Sequence, residues 1–199
     1  MDFARSFSHM FKDGSWFFKV FLGGLILLLC GLAVGLPLIL GYQIRHITAV
    51  SRHDDTVLPE WKNLKAIFKD GLVVLVVTII YLAAGVWLTI CLTGTRILWP
   101  AFIVTALVMF VWEPIVLIQY ARRRTFLACF SIREMMTPLA RRPITCVIAT
   151  AVSTAVMLAT ILFGWMSLIL GWPFVVFWGV LVQSHIYGQL SESLGSPRP

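Results

Sequence analysis

The sequence predicts an all-α fold, a polytopic bundle of transmembrane helices. Of the 199 residues 59% are apolar and 13% charged, the mean hydropathy is +0.90, and the charges fall in clusters between long uncharged runs. Soluble domains do not have this composition. A single integral membrane domain, 1–199, is expected, with no polar stretch long enough for a separate soluble catalytic unit.

A helix needs roughly 20 apolar residues to cross the hydrocarbon core. The runs 17–41, 72–92 and 97–119 reach that length, and residues 144–183 form a run of 40 without a charged group. One crossing cannot use so many residues at about 1.5 Å each, so this run predicts two, 144–163 and 166–183. The turn belongs between Gly164 and Pro173, where Gly164, Gly171 and Pro173 weaken the helix and Trp165 and Trp172 suit the interface. The first run has two readings. An apolar stretch of 25 residues normally spans, and that is the expectation. The alternative is a re-entrant hairpin folding back at Gly31, Gly35 and Pro37, its backbone shielded from lipid by other helices. The bundle therefore has four long spans plus an N-terminal segment that spans or re-enters.

Charge placement sets the orientation. The stretches 42–71 and 120–143 carry five and six bases, whereas the 92–96 connection holds only Arg96 and the turn after Gly164 none. The positive-inside rule puts both basic loops and the C-terminal tail in the cytoplasm. A spanning first segment divides the sixteen bases twelve to four, and a re-entrant one fifteen to one, so both obey the rule. Before the first run, Asp2, Arg5, Lys12 and Asp13 surround no basic-then-apolar leader, and no small-residue cleavage site follows, which speaks against a cleaved signal peptide.

The loops have helical periodicity. Trp61, Leu64, Ile67 and Phe68 form an apolar stripe with Lys62, Lys65 and Lys69 off it; Pro59 is placed to start that helix and Gly71 to end it. Glu60 falls where a helix N-terminus favours negative charge, and Trp61 suits the headgroup level as an interfacial anchor. Phe3, Phe7, Met10 and Phe11 make a similar stripe in residues 1–16, and Phe126, Leu127 and Phe130 a shorter one. Amphipathic helices of this kind lie in the inner headgroup layer or pack on the bundle.

The order and spacing of Gly23-Gly24-Leu25, Gly41-Tyr42 with Arg45, Leu58-Pro59-Glu60-Trp61 and Asp70-Gly71-Leu72 resemble a prokaryotic family of multi-pass membrane proteins, the domain of unknown function 4013. These landmarks cover the first 75 residues or so; beyond them the likeness is one of hydrophobic pattern, ending in Tyr187-Gly188-Gln189. The family has no established activity to carry over. The resemblance implies a bacterial or archaeal inner-membrane protein in which the Leu58 to Trp61 turn belongs to the scaffold.

Glu113 is the one ionisable residue well inside an otherwise apolar span, and Pro114 after it frees a carbonyl one turn back. The pair either lines a polar or proton path or is a carboxylate satisfied near the inner interface. Cys30, Cys91, Cys129 and Cys146 are scattered without a C-x-x-C pair or a histidine at ligand spacing, and read as small apolar fillers; no metal or cofactor is expected. Among the histidines none lies mid-span and no two share a span, which leaves pigment ligation to His46 or His185 singly.

Gly31 and Gly35, and Ala151, Ala155 and Ala159, recur every four residues as helix-packing faces. Arg122, Arg123, Arg124, Arg141 and Arg142 are a topology signal that also suits anionic lipid or an acidic partner. No basic and aromatic interleaving points to nucleic acid, and no catalytic motif is present. The reading is a non-catalytic membrane protein, an accessory or scaffold subunit that meets other membrane subunits or itself. Its alternative is a small transporter or lipid-handling protein using Glu113.

Overall fold

The computed structural model describes residues 2–28, 34–53, 58–93, 112–166 and 168–194, and among these every regular element is helical. In order they are α1 (Phe3–Ser8), a 3-10 turn His9–Lys12, α2 (Trp16–Leu28), α3 (Gly35–Ser51), α4 (Leu64–Thr93), α5 (112–123), a 3-10 segment Phe126–Phe130, α6 (Ile132–Arg141), α7 (Pro143–Met166) and α8 (Leu168–Ser193). Two stretches, Leu64–Cys91 and Pro143–Gly164, are long and apolar enough to cross a membrane.

The run 17–41 is not one helix, which corrects the expectation of a single crossing. Phe21 of α2 stacks on Phe174 of α8 at 5.3 Å between ring centroids, and His9, ahead of α2, lies 4.3 Å from His185. Along α3 the order is the opposite: Tyr42 meets Phe177 at 5.6 Å, and His46 meets Ser184 at 2.7 Å. Thus α2 runs antiparallel to α8 and α3 parallel with it. The reason is local: a side chain on Gly23 or Gly24 would overlap the rings of Phe177 and Phe174, so the glycine pair seats α2 against α8. At 13 residues α2 is also shorter than a crossing requires. Gly35 opens α3 and is buried; Gly31 lies outside the described residues.

The expected interfacial helix ending at Gly71 is instead the start of α4, which continues through Gly71 to Thr93. Gly71 is kept small because α3 and α4 touch there through their backbones. Pro59 does not start the helix either. Residues 58–60 are irregular because the Pro59 carbonyl accepts from the Tyr42 hydroxyl at 2.8 Å, and α4 begins five residues later, at Leu64. Ahead of it Asn63 adopts a left-handed conformation (φ 57°), which asparagine tolerates, and its side chain accepts from the Ala66 amide.

Helix α5 runs antiparallel to α4, with Trp112 against Tyr81 at 5.6 Å and the Tyr120 hydroxyl donating to Asp70 at 3.2 Å. Of the predicted span 97–119, only 112–119 falls within the described residues. The 3-10 segment after α5 packs back onto α4: the Tyr81 hydroxyl donates to the Cys129 carbonyl at 2.6 Å and its ring stacks on Phe130. The N-terminal stripe also packs on protein, with Phe7 on Trp178, Phe11 on Trp16 and Met10 buried.

The 40-residue apolar run is carried by α7 and α8, an antiparallel pair in which Ser153 faces Tyr187 and Thr160 faces Gly179. The face of α7 turned inward is Ala149, Ser153, Val156 and Thr160. Ala151 and Ala155 are exposed and Ala159 is half-buried, so the alanine stripe is not the face that meets α8. The close approach there comes from Gly179 against Thr160. At the centre of the bundle lie Tyr42, Ile44, Ile47, Ile67, Val77, Phe177, Val182 and Tyr187.

Candidate functional site

The polar interior collects where the end of α3, the end of α8 and the N-terminal segment meet. His46 is on α3 one turn beyond Tyr42, His185 is on α8, and His9 is supplied by the 3-10 turn after α1. The three imidazoles are buried together, with ring centroids 4.3, 5.6 and 6.2 Å apart for the 9–185, 9–46 and 46–185 pairs. His46 Nδ1 shares a 2.7 Å hydrogen bond with the Ser184 hydroxyl, and its Nε2 is buried without a hydrogen-bond partner. His185 Nδ1 lies 2.9 Å from the Ser6 hydroxyl and 3.1 Å from Gln189 Nε2. Burial first, then the neighbouring His9 and His185, push His46 well below the usual imidazole range. Among the described residues no group of three or more His, Cys, Asp or Glu has the arrangement of a metal site.

A second polar chain crosses the same region. Gln43 Nε2 of α3 donates to Gln183 Oε1 at 3.2 Å, Gln183 Nε2 donates to the Tyr187 hydroxyl at 3.1 Å, and that hydroxyl shares a 2.9 Å bond with Ser153 of α7. Ser153 in turn donates to the Thr150 carbonyl. Burial raises the Tyr187 phenol, and the Glu113 carboxylate on α5 adds to the rise. Glu113 itself is exposed and Pro114 beside it is buried.

The third constellation is a clamp. Lys19 Nζ lies 2.7 Å from Asp13 Oδ2 and donates to the Leu58 carbonyl at 2.6 Å, while the Leu58 amide returns to the same Asp13 oxygen at 2.9 Å. Ser15 donates twice to the other carboxylate oxygen, at 2.7 and 2.8 Å. Burial would raise the Asp13 carboxyl, yet the Lys19 ammonium and these hydrogen bonds outweigh it and hold it well below the ordinary range. Trp61 completes the clamp: its ring stacks on Tyr42 at 4.2 Å and its Nε1 donates to the Lys19 carbonyl at 3.2 Å. Glu60 is exposed and pairs with Lys62.

A family model described as "Protein of unknown function (DUF4013)" matches residues 24–171, well over half of the chain. The chain belongs to the DUF4013 family. No curated protein and no solved structure matches it. The match extends past the early landmarks into α8, further than the local likeness in the sequence reached.

Within the DUF4013 region each landmark has a physical role. Gly41 and Gly71 permit the α3–α4 contact, Tyr42 takes the Pro59 carbonyl and the Trp61 ring, and Asp70 holds both Tyr120 and Arg124. Arg124 Nη1 sits 2.6 Å from Asp70 Oδ2, and its other terminal nitrogen donates to the Thr48 hydroxyl at 3.1 Å. Arg123, Arg141 and Arg142 are exposed and Arg122 is half-buried. His9 and His185 lie outside the matched residues, and His46, Glu113 and the clamp residues Leu58 and Trp61 lie inside them. The histidine cluster escaped the sequence because its members are 37 and 139 residues apart in the chain. Asp13 and Lys19, six residues apart across a turn, offered no helical pairing signal either.

Proposed function

We propose that this DUF4013 protein is a non-catalytic multi-pass protein of a prokaryotic inner membrane, acting as a small accessory or scaffold subunit of a larger membrane assembly. One observation carries the reading: apolar side chains of α2, α4 and α7 are left uncovered. Phe17 and Phe18, Trp87 and Ile90, and Leu162 and Phe163 are all more than half exposed. In water such faces would aggregate; in a bilayer they meet lipid or the helices of other subunits. The two long apolar helices support the membrane location, and the basic 42–71 and 120–143 stretches support a cytoplasmic side. The exposed Arg123, Arg141 and Arg142 suit anionic headgroups there. Because α2 and α3 run oppositely, the N-terminal segment belongs on that same side.

A mild-detergent pull-down of the tagged protein at native expression, read by mass spectrometry, tests this. Stoichiometric recovery with larger membrane subunits is expected; recovery alone or as a homo-oligomer sinks it.

A specific observation favours a second reading, a small transporter or lipid-handling protein. The Gln43–Gln183–Tyr187–Ser153 chain joins three helices, and the Glu113 carboxylate acts electrostatically on its Tyr187. Glu113→Gln distinguishes the two: it leaves assembly unchanged under the scaffold reading and abolishes proton-coupled flux in proteoliposomes under the transport reading.

A further inference from the structure

Contacts that fasten the N-terminal segment to the bundle converge on the imidazoles. The Asp2 amide donates to Gln189 Oε1 at 2.9 Å, Gln189 Nε2 donates to the Asp2 carbonyl at 3.1 Å, and Ser6 meets His185 at 2.9 Å. Phe7 rests on Trp178. The only deeply buried side chains between residues 2 and 12 are Ser6, His9 and Met10. We propose that residues 2–12 form a pH-sensitive latch: with His9, His46 and His185 neutral the segment is docked on α3 and α8, and protonation of the cluster in mild acid releases it while the helices stay folded.

The geometry gives a proton added to His46 no counter-charge among the described groups acting on it. His46 is 1% exposed, and among the described groups those acting electrostatically on it are His9 from the N-terminal segment and His185 from α8, both imidazoles. Of the charged groups on the elements around it, Lys19 of α2 is held by Asp13 and Asp70 of α4 by Arg124, and the exposed Glu192 of α8 lies 3.5 Å from His53 beyond the end of α3. Arg5 and Lys12 of the N-terminal segment are exposed and carry the same sign as the added proton. The Asp2 side chain caps α1 through the Arg5 amide.

Charge on His46 is thus buried beside two other imidazoles, one of which, His9, follows a helix of only six residues. The sign follows. Burial holds His46 below the ordinary imidazole value of 6.5, and release of the segment exposes the ring to water and relieves that burial, so docking weakens as the pH falls below 6.5. This inference is independent of the subunit reading.

Hydrogen–deuterium exchange of the full chain in lipid nanodiscs, corrected for intrinsic rates, tests it. On lowering the pH from about 7.5 to about 5.5, amides of residues 3–12 are expected to lose about tenfold or more of their protection, with those of α7 and α8 unchanged. His9→Phe, which keeps an apolar ring in the cluster, moves the transition to lower pH or removes it, and His46→Gln does the same should His9→Phe fail to dock. Unchanged protection across the range overturns the latch. So does protection lost together with that of α7 and α8, or variants whose transition follows the wild type. Loss of protection at the higher pH on adding EDTA also overturns it, since a metal ion would then hold the imidazoles together.

Discussion

Gly71 lies against the Gly41 backbone where α3 crosses α4: a Cβ on Gly71 would stand 2.6 Å from the Gly41 amide nitrogen and overlap the Pro37 carbonyl oxygen, and one on Gly41 would overlap the Ile67 carbonyl oxygen. The obstacle in both cases is main chain, which cannot turn aside as a side chain can. Gly41→Ala and Gly71→Ala are each expected to lower stability by about 1–3 kcal/mol through overpacking. Gly14→Ala, with nothing within 4 Å of the added carbon, serves as the control. Thermal denaturation in detergent measures the difference, and three indistinguishable midpoints would discard the close crossing.

The Asp13–Lys19 pair is buried on both sides, at 5% and 9% side-chain exposure. Lys19→Met strands a carboxylate in the clamp and is expected to destabilise by about 3–5 kcal/mol. Removing both charges, in Asp13→Leu with Lys19→Met, should cost less than the two single changes added together. Because the folded protein holds the Asp13 carboxyl below its ordinary value of 3.8, the clamp's pH-dependent stability is present above that value and lost as the pH falls through the depressed one. Denaturant titrations of the four species, repeated under acid, check both statements; strict additivity would refute the coupling.

Arg124 adopts a left-handed backbone (φ 53°) while its guanidinium holds Asp70. Loss of this partly exposed pair costs about 1 kcal/mol at most, and glycine relieves about as much backbone strain. Arg124→Gly should therefore be nearly neutral and Arg124→Ala destabilising. An alanine variant at least as stable as the glycine variant would count against the strain.

The fold-back of α2 on α3 places exposed Ser8 beside the end of α8. In a chain whose other cysteines are replaced, Ser8→Cys is expected to react with an impermeant thiol reagent in inside-out vesicles and not in intact cells. Labelling in intact cells alone would restore the single crossing.

Part of this was legible in order along the chain. Apolar runs divided by basic stretches announce long helices, and the Leu58 to Trp61 turn and the glycines Gly41 and Gly71 are marked by their order and spacing alone. The first run misled because α2 and α3 are both apolar, and no charge separates them in the sequence. Gly71 misled for a related reason: glycine ends helices and also lets them touch, and the choice depends on what lies opposite. The alanine stripe of α7 had the period of a packing face, yet hydroxyl-bearing Ser153 and Thr160 took that place because Tyr187 and Gly179 face them.

The sequence by itself determined the helical class, the apolar character and which stretches carry the positive charge, since these follow from composition and from the order of residues along the chain. Only the tertiary structure decided that His9, His46 and His185 share one buried space, that Lys19 has an acid to meet, and that Gln43 reaches Ser153 through Gln183 and Tyr187. Periodicity says which face of a helix is apolar. It carries no information about which other helix that face will find, and a buried polar group takes its character from that partner.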